Sequence, residues 1–253
     1  MPASRLPIVG AAVLAYEDLW RVFRAMPRLV LYAFLIVLAV KVGEDTIPFR
    51  IWSGAVLGHI LGFILGVAQS FCLTPIMIAV HRFILLDEVA RGYAVDVRQP
   101  SFLPFFGWLV ALSLFGDLIF VVQAAVTGLP LLAEILIALI VTILVIAVWL
   151  RLAILFPAIA VRAPGATAGN AMADSKGYAS DIFWLFFVAL LPWTIVSIGI
   201  TMILGPGVAH PGAPVAMVFL IVASIIHAAT LILCVAIASR LFQGMADRLL
   251  RPV

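Results

Sequence analysis

The chain has 253 residues, of which 66% are hydrophobic and only 11% are charged. Soluble domains average about 45–50% apolar and about 25% charged residues. Because so few polar side chains cannot cover a protein surface in water, the composition excludes an ordinary soluble domain and predicts an outer surface that faces lipid. The expected fold is an all-α, polytopic bundle of six transmembrane helices.

Residues 1–26 form a predicted N-terminal segment ahead of the first apolar stretch. On a helix, its charged residues share one face and its large apolar residues share another. A short amphipathic helix in the headgroup layer satisfies both faces, and a helix packed beneath the bundle does so equally well. The charged face comprises Glu17, Arg21, Arg24 and Arg28, and the apolar face comprises Val13, Tyr16, Trp20 and Phe23.

Residues 27–239 contain six apolar stretches, and a helix needs about 20 residues to cross a hydrocarbon core. The first stretch is short, whereas the second and fourth are long enough to project beyond the bilayer. Residues 240–253 are predicted to form a cytoplasmic tail. The stretches are Pro27–Val42, Ile51–Val80, Leu103–Val126, Leu131–Val161, Ile182–Leu204 and Pro214–Ser239.

The second stretch carries a glycine every four residues, at Gly54, Gly58, Gly62 and Gly66. In lipid, small residues allow two helix backbones to approach closely, so such a series is typical of a packing face. We therefore predict that this glycine ribbon packs against another helix. A hinge or a groove that admits lipid is the alternative.

Asp117 is the strongest functional candidate, since it lies near the middle of the third stretch, where an ionised carboxylate is costly. His227 is similarly central in the sixth stretch, and His59 lies in the outer half of the second. A carboxylate and an imidazole there could exchange a proton or bind a headgroup. A protonated Asp117 that is hydrogen-bonded within the bundle, for example toward Ser113, is the simpler reading.

Other charged residues favour structural roles. Glu134 follows Pro130 by four residues, which places it in the first turn of a helix, where a carboxylate complements the helix dipole. The charges in the connection after the second stretch are typical of a solvated face. These are Asp87, Glu88, Arg91, Asp96 and Arg98.

The basic residues indicate the orientation. Of the 15 Lys and Arg residues, 13 lie in or beside the N-terminal segment, the 2–3 and 4–5 connections and the tail, all on one side of a six-helix topology. Only Lys41 and Arg50 lie on the other side. The positive-inside rule places the 13-residue side, with both termini, in the cytoplasm. The positive charge thus reports orientation and predicts no nucleic-acid partner.

A weak internal repeat also appears at the cytoplasmic ends of the even-numbered stretches. These ends read Ile78-Ala79-Val80-His81-Arg82, Ile159-Ala160-Val161-Arg162 and Ile237-Ala238-Ser239-Arg240. The repeat predicts three helical hairpins, each preceded by a short cytoplasmic amphipathic segment.

The sequence contains no phosphate-binding loop, no zinc-binding histidine pair, no nucleophile elbow and no C-x-x-C pair. His81 with Asp87 and Glu88 is too loosely spaced to indicate a metal. Cys72 and Cys234 are isolated in apolar stretches, which is typical of buried free thiols. We therefore predict no enzymatic activity, no metal and no cofactor.

The six apolar stretches, the Phe156–Val161 sequence and Ser175-Lys176-Gly177-Tyr178 ahead of Ile182–Leu191 together carry a resemblance. They resemble uncharacterised bacterial inner-membrane proteins related to the membrane domain of glycerophosphodiester phosphodiesterases. The resemblance implies a multi-pass protein of the bacterial inner membrane. It implies no phosphodiesterase activity, because the sequence contains no soluble hydrolase domain, and it supplies no catalytic residues.

Two functions are consistent with these features. The first is a non-enzymatic scaffold or accessory component that packs against membrane lipids, another membrane protein or a second copy of itself. The second is a small transporter or permease with a site near Asp117 at the membrane midplane. Three hairpins fit poorly with the paired inverted halves of many transporters, which favours the first.

Reporter fusions test the orientation. A reporter at Val253 and one inserted after Arg98 are expected to report the cytoplasm, whereas one inserted between Gly205 and Pro214 is expected to report the opposite side, because clustered basic residues resist translocation. The same side reported from Val253 and from the 205–214 connection would contradict the six-helix topology.

Overall fold

The structure, a computed structural model, describes residues 8–46, 55–208 and 214–251. The described chain contains helices and connections but no strand. The helices are α1 (Ile8–Ala25), α2 (Pro27–Thr46), α3 (Ala55–Leu86), α4 (Phe102–Val126), α5 (Leu131–Leu152), α6 (Leu155–Ala160), α7 (Ala168–Asp174), α8 (Ala179–Val208) and α9 (Pro214–Met245), followed by a 3₁₀ turn at Arg248–Leu250.

Five of the described elements are long and apolar enough to cross a membrane: α3, α4, α5 together with α6, α8 and α9. Helices α1 and α2 pass the same test only as a pair, and they meet at a bend of 100°. The exposed side chains of α5 are mostly apolar, as at Leu132, Leu139 and Ile143. A continuous apolar surface of this kind suits lipid and not water. The predicted all-helical character is confirmed, and five or six helices are long and apolar enough to span a membrane.

Several helix boundaries depart from the predicted stretches: α2 ends at Thr46 and not at Val42, α3 ends at Leu86 and not at Val80, and α8 begins at Ala179 and not at Ile182. Two further departures have a clear physical cause. The fourth stretch is not one helix, because it breaks at residues 153–154 between α5 and α6. Pro157 explains the break, since proline lacks an N–H and its ring clashes with the carbonyl four residues earlier. Helix α9, which corresponds to the sixth predicted stretch, continues to Met245 beyond the predicted end at Ser239. Leu241 and Phe242 are buried against the bundle there, which extends the helix.

Helix α9 lies at the centre of the bundle and contacts α1, α2, α3, α6 and α8. Its second half is almost wholly buried, from Ile232 to Met245. Helices α4 and α5 pack on each other at the periphery, and they reach the centre through α3 and α8. Helix α1, residues 87–101, α7 and residues 246–251 lie at one end of the bundle, which we call the basic end.

The three similar sequence ends meet at the basic end. His81 Nδ1 lies 2.8 Å from Ser239 Oγ, and Arg82 Nη1 donates to the Ala160 carbonyl at 3.1 Å. The segments before the hairpins are less alike than the repeat predicts. Helices α1 and α7 precede the first and third hairpins, but residues 87–101 contain no α-helix. Asp87, with a φ of 55°, takes a left-handed conformation that ends α3.

Two tyrosines bind backbone carbonyls in helices that contain proline. Tyr93 donates to the Cys72 carbonyl at 3.0 Å, three residues before Pro75 in α3. Tyr16 donates to the Ala189 carbonyl at 2.7 Å, again three residues before a proline of α8. Proline disturbs the hydrogen bonds of the preceding turn, and side chains can satisfy the carbonyls that become accessible.

Helix α1 is fixed to the bundle by a buried ion pair. Asp18 is 0% exposed and accepts hydrogen bonds from Arg240 Nε at 2.6 Å and Arg240 Nη2 at 2.8 Å. Arg21 lies 3.2 Å from Asp18 and also binds Asp87 at 2.8 Å. Together these contacts connect α1 with α9 and with the end of α3.

The two-faced reading of the N-terminal segment is therefore incomplete. A third face, formed by Ala15, Leu19 and Val22 around Asp18, packs into the core. Val13 and Trp20 stay exposed, and the Arg24 guanidinium lies over the Trp20 ring at 4.7 Å. Helix α1 thus packs on the bundle and also presents an apolar side outward.

Asp18→Asn tests the ion pair. We expect the free energy of unfolding in detergent to fall by roughly 2–4 kcal/mol, somewhat below the range for a fully buried pair, because Arg240 keeps some contact with solvent. Glu17→Gln is the matched control, since Glu17 is the exposed neighbour on the same helix. Equal stability of the two variants would show that the pair does not hold α1.

Candidate functional site

A cavity of about 510 Å³ lies among α3, α4, α5, α6, α8 and α9. Apolar side chains dominate its wall, among them Leu73, Met77, Leu109 and Phe156. Ligand sites typically occupy about 300–1,000 Å³ and combine apolar walls with a few polar groups. The cavity thus has the size and the lining of a binding site for a small apolar molecule.

The cavity is elongated along the helix axes. One face of α3 lines it from Gly66 to His81, a distance of about 22 Å at a rise of ~1.5 Å per residue. One face of α9 runs beside it from His227 to Ala238. A long, narrow space between parallel helices fits an extended chain better than a compact solute.

His81 forms the polar group at the basic end of this cavity. Its side chain is 1% exposed, it lines the cavity, and its ring centroid lies 5.8 Å from that of Phe105. Its Nδ1 lies 2.8 Å from Ser239 Oγ, and Ser239 Oγ lies 2.9 Å from the Val235 carbonyl oxygen.

These contacts favour one tautomer of the neutral imidazole. A carbonyl oxygen can only accept, so the Ser239 hydroxyl donates its hydrogen to Val235. Ser239 Oγ must then accept from His81, which places the ring hydrogen on Nδ1. Nε2 is left with its lone pair and makes no hydrogen bond within the described chain. His81 therefore offers the cavity a hydrogen-bond acceptor.

The cavity wall carries no formal charge among the residues that line it. Its other residues with polar side-chain atoms are Gln69, Ser70, Ser113 and His227 toward the opposite end, together with Trp149 and Cys234. Arg82 follows His81 in the chain but binds Glu88 through two hydrogen bonds, at 2.7 and 2.8 Å. A cation or an anion would find no opposite charge in this wall.

The structure does not bring the predicted polar trio together. Asp117 is partly exposed on α4, does not line the cavity that reaches His81, and makes no hydrogen bond or ion pair within the described residues. Ser113, its predicted partner, donates to the Leu109 carbonyl at 2.9 Å instead. His227 lines the cavity, whereas the side chain of His59 lies outside the described part of the chain.

His227 also borders a second cavity, of about 400 Å³, between α2, α8 and α9. Lys41, Ser197 and Thr201 line it, so this space is more polar than the one that reaches His81. A third, smaller cavity at the basic end is lined by Arg82 and Tyr93. Burial raises the pKa of Tyr93, which stays a hydrogen-bond donor to α3.

The glycine ribbon shows no close helix contact at the two positions whose surroundings are described. A Cβ added at Gly62 or Gly66 would meet no atom within 4 Å. Gly54 lies outside the described residues, and so do the surroundings of Gly58. The packing role of the ribbon stays a prediction. Gly66 instead contributes to the wall of the cavity.

Several smaller predictions can be compared with the structure. Glu134 lies in the first turn of α5, as predicted. The five charged residues of the 87–101 connection are exposed, and two of them form ion pairs, Asp87 with Arg21 and Glu88 with Arg82. Both cysteines are free thiols. Within the described ranges, no three His, Cys, Asp or Glu residues cluster as a metal site would require.

Sequence reasoning missed Asp18, His81 and Ser239 as important positions. Asp18 interrupts the buried series of Ala15, Leu19 and Val22, which is a readable signal on a helix. His81 and Ser239 lie in two of the three similar helix ends, but their 158-residue separation hides the contact.

Comparisons with known proteins add no assignment, because no family model, curated protein or solved structure matches the chain.

Asp117→Asn tests whether this carboxylate serves transport. We expect normal abundance and full complementation of a deletion strain that has a phenotype, because Asp117 does not line the cavity that reaches His81 and holds no partner in the described structure. Loss of function at normal abundance would instead support a proton-coupled or cation-binding carrier.

Proposed function

We propose that this protein is a non-enzymatic accessory component of the bacterial inner membrane that holds a lipid-like molecule between its helices. The observation that carries the proposal is the elongated, uncharged cavity that ends at His81. Membrane lipids surround such a protein at high concentration, so an apolar space between membrane helices is most readily filled by a lipid chain.

We further propose that α2 is the first of six membrane spans. It has 20 residues and packs against α3 and α9, which are long apolar helices. Helix α1 then lies along the membrane surface at the basic end, with Val13 and Trp20 turned outward into the headgroup layer. The 13 basic residues on that side support a cytoplasmic location of both termini.

An accessory role allows a protein partner as well as lipid. The glycine ribbon leaves open space at Gly62, so another membrane protein or a second copy of this chain could approach α3 there. The resemblance to inner-membrane relatives of a phosphodiesterase membrane domain agrees with such a role, because it carries no catalytic residues.

The alternative, a small transporter with a midplane site, has less support. It requires Asp117 to face a ligand path, but Asp117 lines neither of the two cavities that His227 borders. The polar cavity beside Lys41 and His227 is the feature that a carrier model would use instead.

Filling the cavity tests the proposed lipid binding. Gly66→Leu places a side chain in the wall of the cavity, whereas Gly62→Leu, one turn earlier on α3, does not. Both substitutions remove a helix glycine that costs about 1 kcal/mol relative to alanine, so both variants should stay folded. We expect protein purified in detergent to lose most of its co-purifying lipid in Gly66→Leu and to keep it in Gly62→Leu.

Mass spectrometry of extracted lipid and of the intact complex provides the measurement. Equal lipid content in wild type and both variants would show that the cavity is not the lipid site. A lower unfolding temperature in Gly62→Leu alone would favour the glycine ribbon as a packing face.

A further inference from the structure

We infer that the cavity selects a neutral lipid alcohol, whose hydroxyl group donates a hydrogen bond to His81 Nε2 while its apolar chain extends along α3 and α9. This inference rests on the proposed lipid binding and names the chemical class of the ligand. The shared chemistry is a single hydroxyl donor on a long chain, as in a fatty alcohol or a diacylglycerol.

His81 is a polar side chain in the mostly apolar wall of the cavity. The ring is almost completely buried, and Ser239 already accepts the hydrogen of Nδ1. Nε2 makes no hydrogen bond within the described chain, and because His81 lines the cavity, a donor that enters the cavity can satisfy it. A pure hydrocarbon offers no such donor.

The described wall of the cavity contains no Asp, Glu, Lys or Arg. No Lys or Arg lines it, and the neighbouring Arg82 is held by Glu88 and the Ala160 carbonyl. An anionic headgroup would meet the Nε2 lone pair and no cationic side chain in this wall. A phosphate or carboxylate would therefore be disfavoured, whereas a neutral hydroxyl group is accommodated.

His81 lies close to the C-terminal end of a helix that is long and apolar enough to span the membrane. It lies near the end of α3, five residues before Leu86, and α3 continues through the cavity away from the basic end. A lipid bound with its hydroxyl at His81 and its chain along the cavity has the orientation of a lipid in the adjacent leaflet. The ligand could then enter from the bilayer without turning over.

The experiment compares ligands that differ only in the donor. Full-length protein in detergent is titrated with 1-hexadecanol, with its methyl ether and with palmitate, and binding is measured by native mass spectrometry. A hydrogen bond in this setting contributes roughly three- to tenfold in affinity. We expect the alcohol to bind about that much more tightly than the ether, and palmitate to bind no better than the ether.

His81→Leu should reduce the affinity for the alcohol to that for the ether and leave ether binding unchanged. His81→Gln can place an amide oxygen near the position of Nε2 and should retain part of the preference. Thermal unfolding in the same detergent checks that both variants are folded. A diacylglycerol, compared with its methyl ether, then shows whether a two-chain lipid alcohol gains as much from His81 as 1-hexadecanol does.

Nitrogen-15 NMR reads the tautomer of His81 directly in wild-type protein, and the signals that are missing from the His81→Gln spectrum assign it. His81 should show a protonated Nδ1 and an unprotonated Nε2. The opposite tautomer would overturn the inference.

The outcomes separate this inference from the proposed function. Equal binding of alcohol and ether to wild type would overturn the lipid-alcohol inference but leave lipid binding intact, with water as the partner of Nε2. Tighter binding of palmitate would overturn it in favour of an anion site. Failure of every chain to bind, in wild type as in Gly66→Leu, would overturn the proposed function as well.

Discussion

The need to satisfy polar groups in apolar surroundings governs the basic end of this bundle. Two consecutive residues of the central helix do most of this: Ser239 binds His81 of α3, and Arg240 binds Asp18 of α1. Arg82, next to His81, connects α3 to α6 through the Ala160 carbonyl. Breaking one of these contacts would leave a buried donor, acceptor or charge unpaired, which costs more than the contact itself contributes. These contacts hold α1, α3, α6 and α9 together at the polar end of the cavity.

Much of the fold could be predicted because a helix that crosses a membrane needs about 20 apolar residues in a row, which are visible in the sequence alone. Apolar length alone located α4, α8 and most of α3, and no packing knowledge was needed. Apolar length gives no information on local backbone chemistry or on burial by other helices. The prediction therefore missed the break before Pro157. It also ended the last helix at Ser239, although α9 continues through the buried Leu241 and Phe242.

The candidate site was harder to predict, since depth in the membrane does not say which way a side chain points. Asp117 stands out in sequence because it is a carboxylate in an apolar stretch, yet in the structure it does not line the cavity that reaches His81. His81 was considered only with Asp87 and Glu88, its neighbours in sequence. Those two residues bind Arg21 and Arg82, while the partner of His81 lies on another helix. Pairings of this kind depend on helix packing, which a single sequence does not reveal.

The three similar helix ends suggest how the polar end of the cavity arises. Aligned on their shared Ile-Ala pair, the third position is Val80, Val161 and Ser239, and the fourth is His81, Arg162 and Arg240. The third of these ends has a serine where the other two have valine, and the first has a histidine where the other two have arginine. These two residues form the hydrogen-bonded pair that leaves Nε2 free. An arginine at position 81 would bring a permanent cation to the cavity wall and favour an anionic headgroup. A neutral imidazole, held in one tautomer by Ser239, instead offers a lone pair that a hydroxyl group can satisfy.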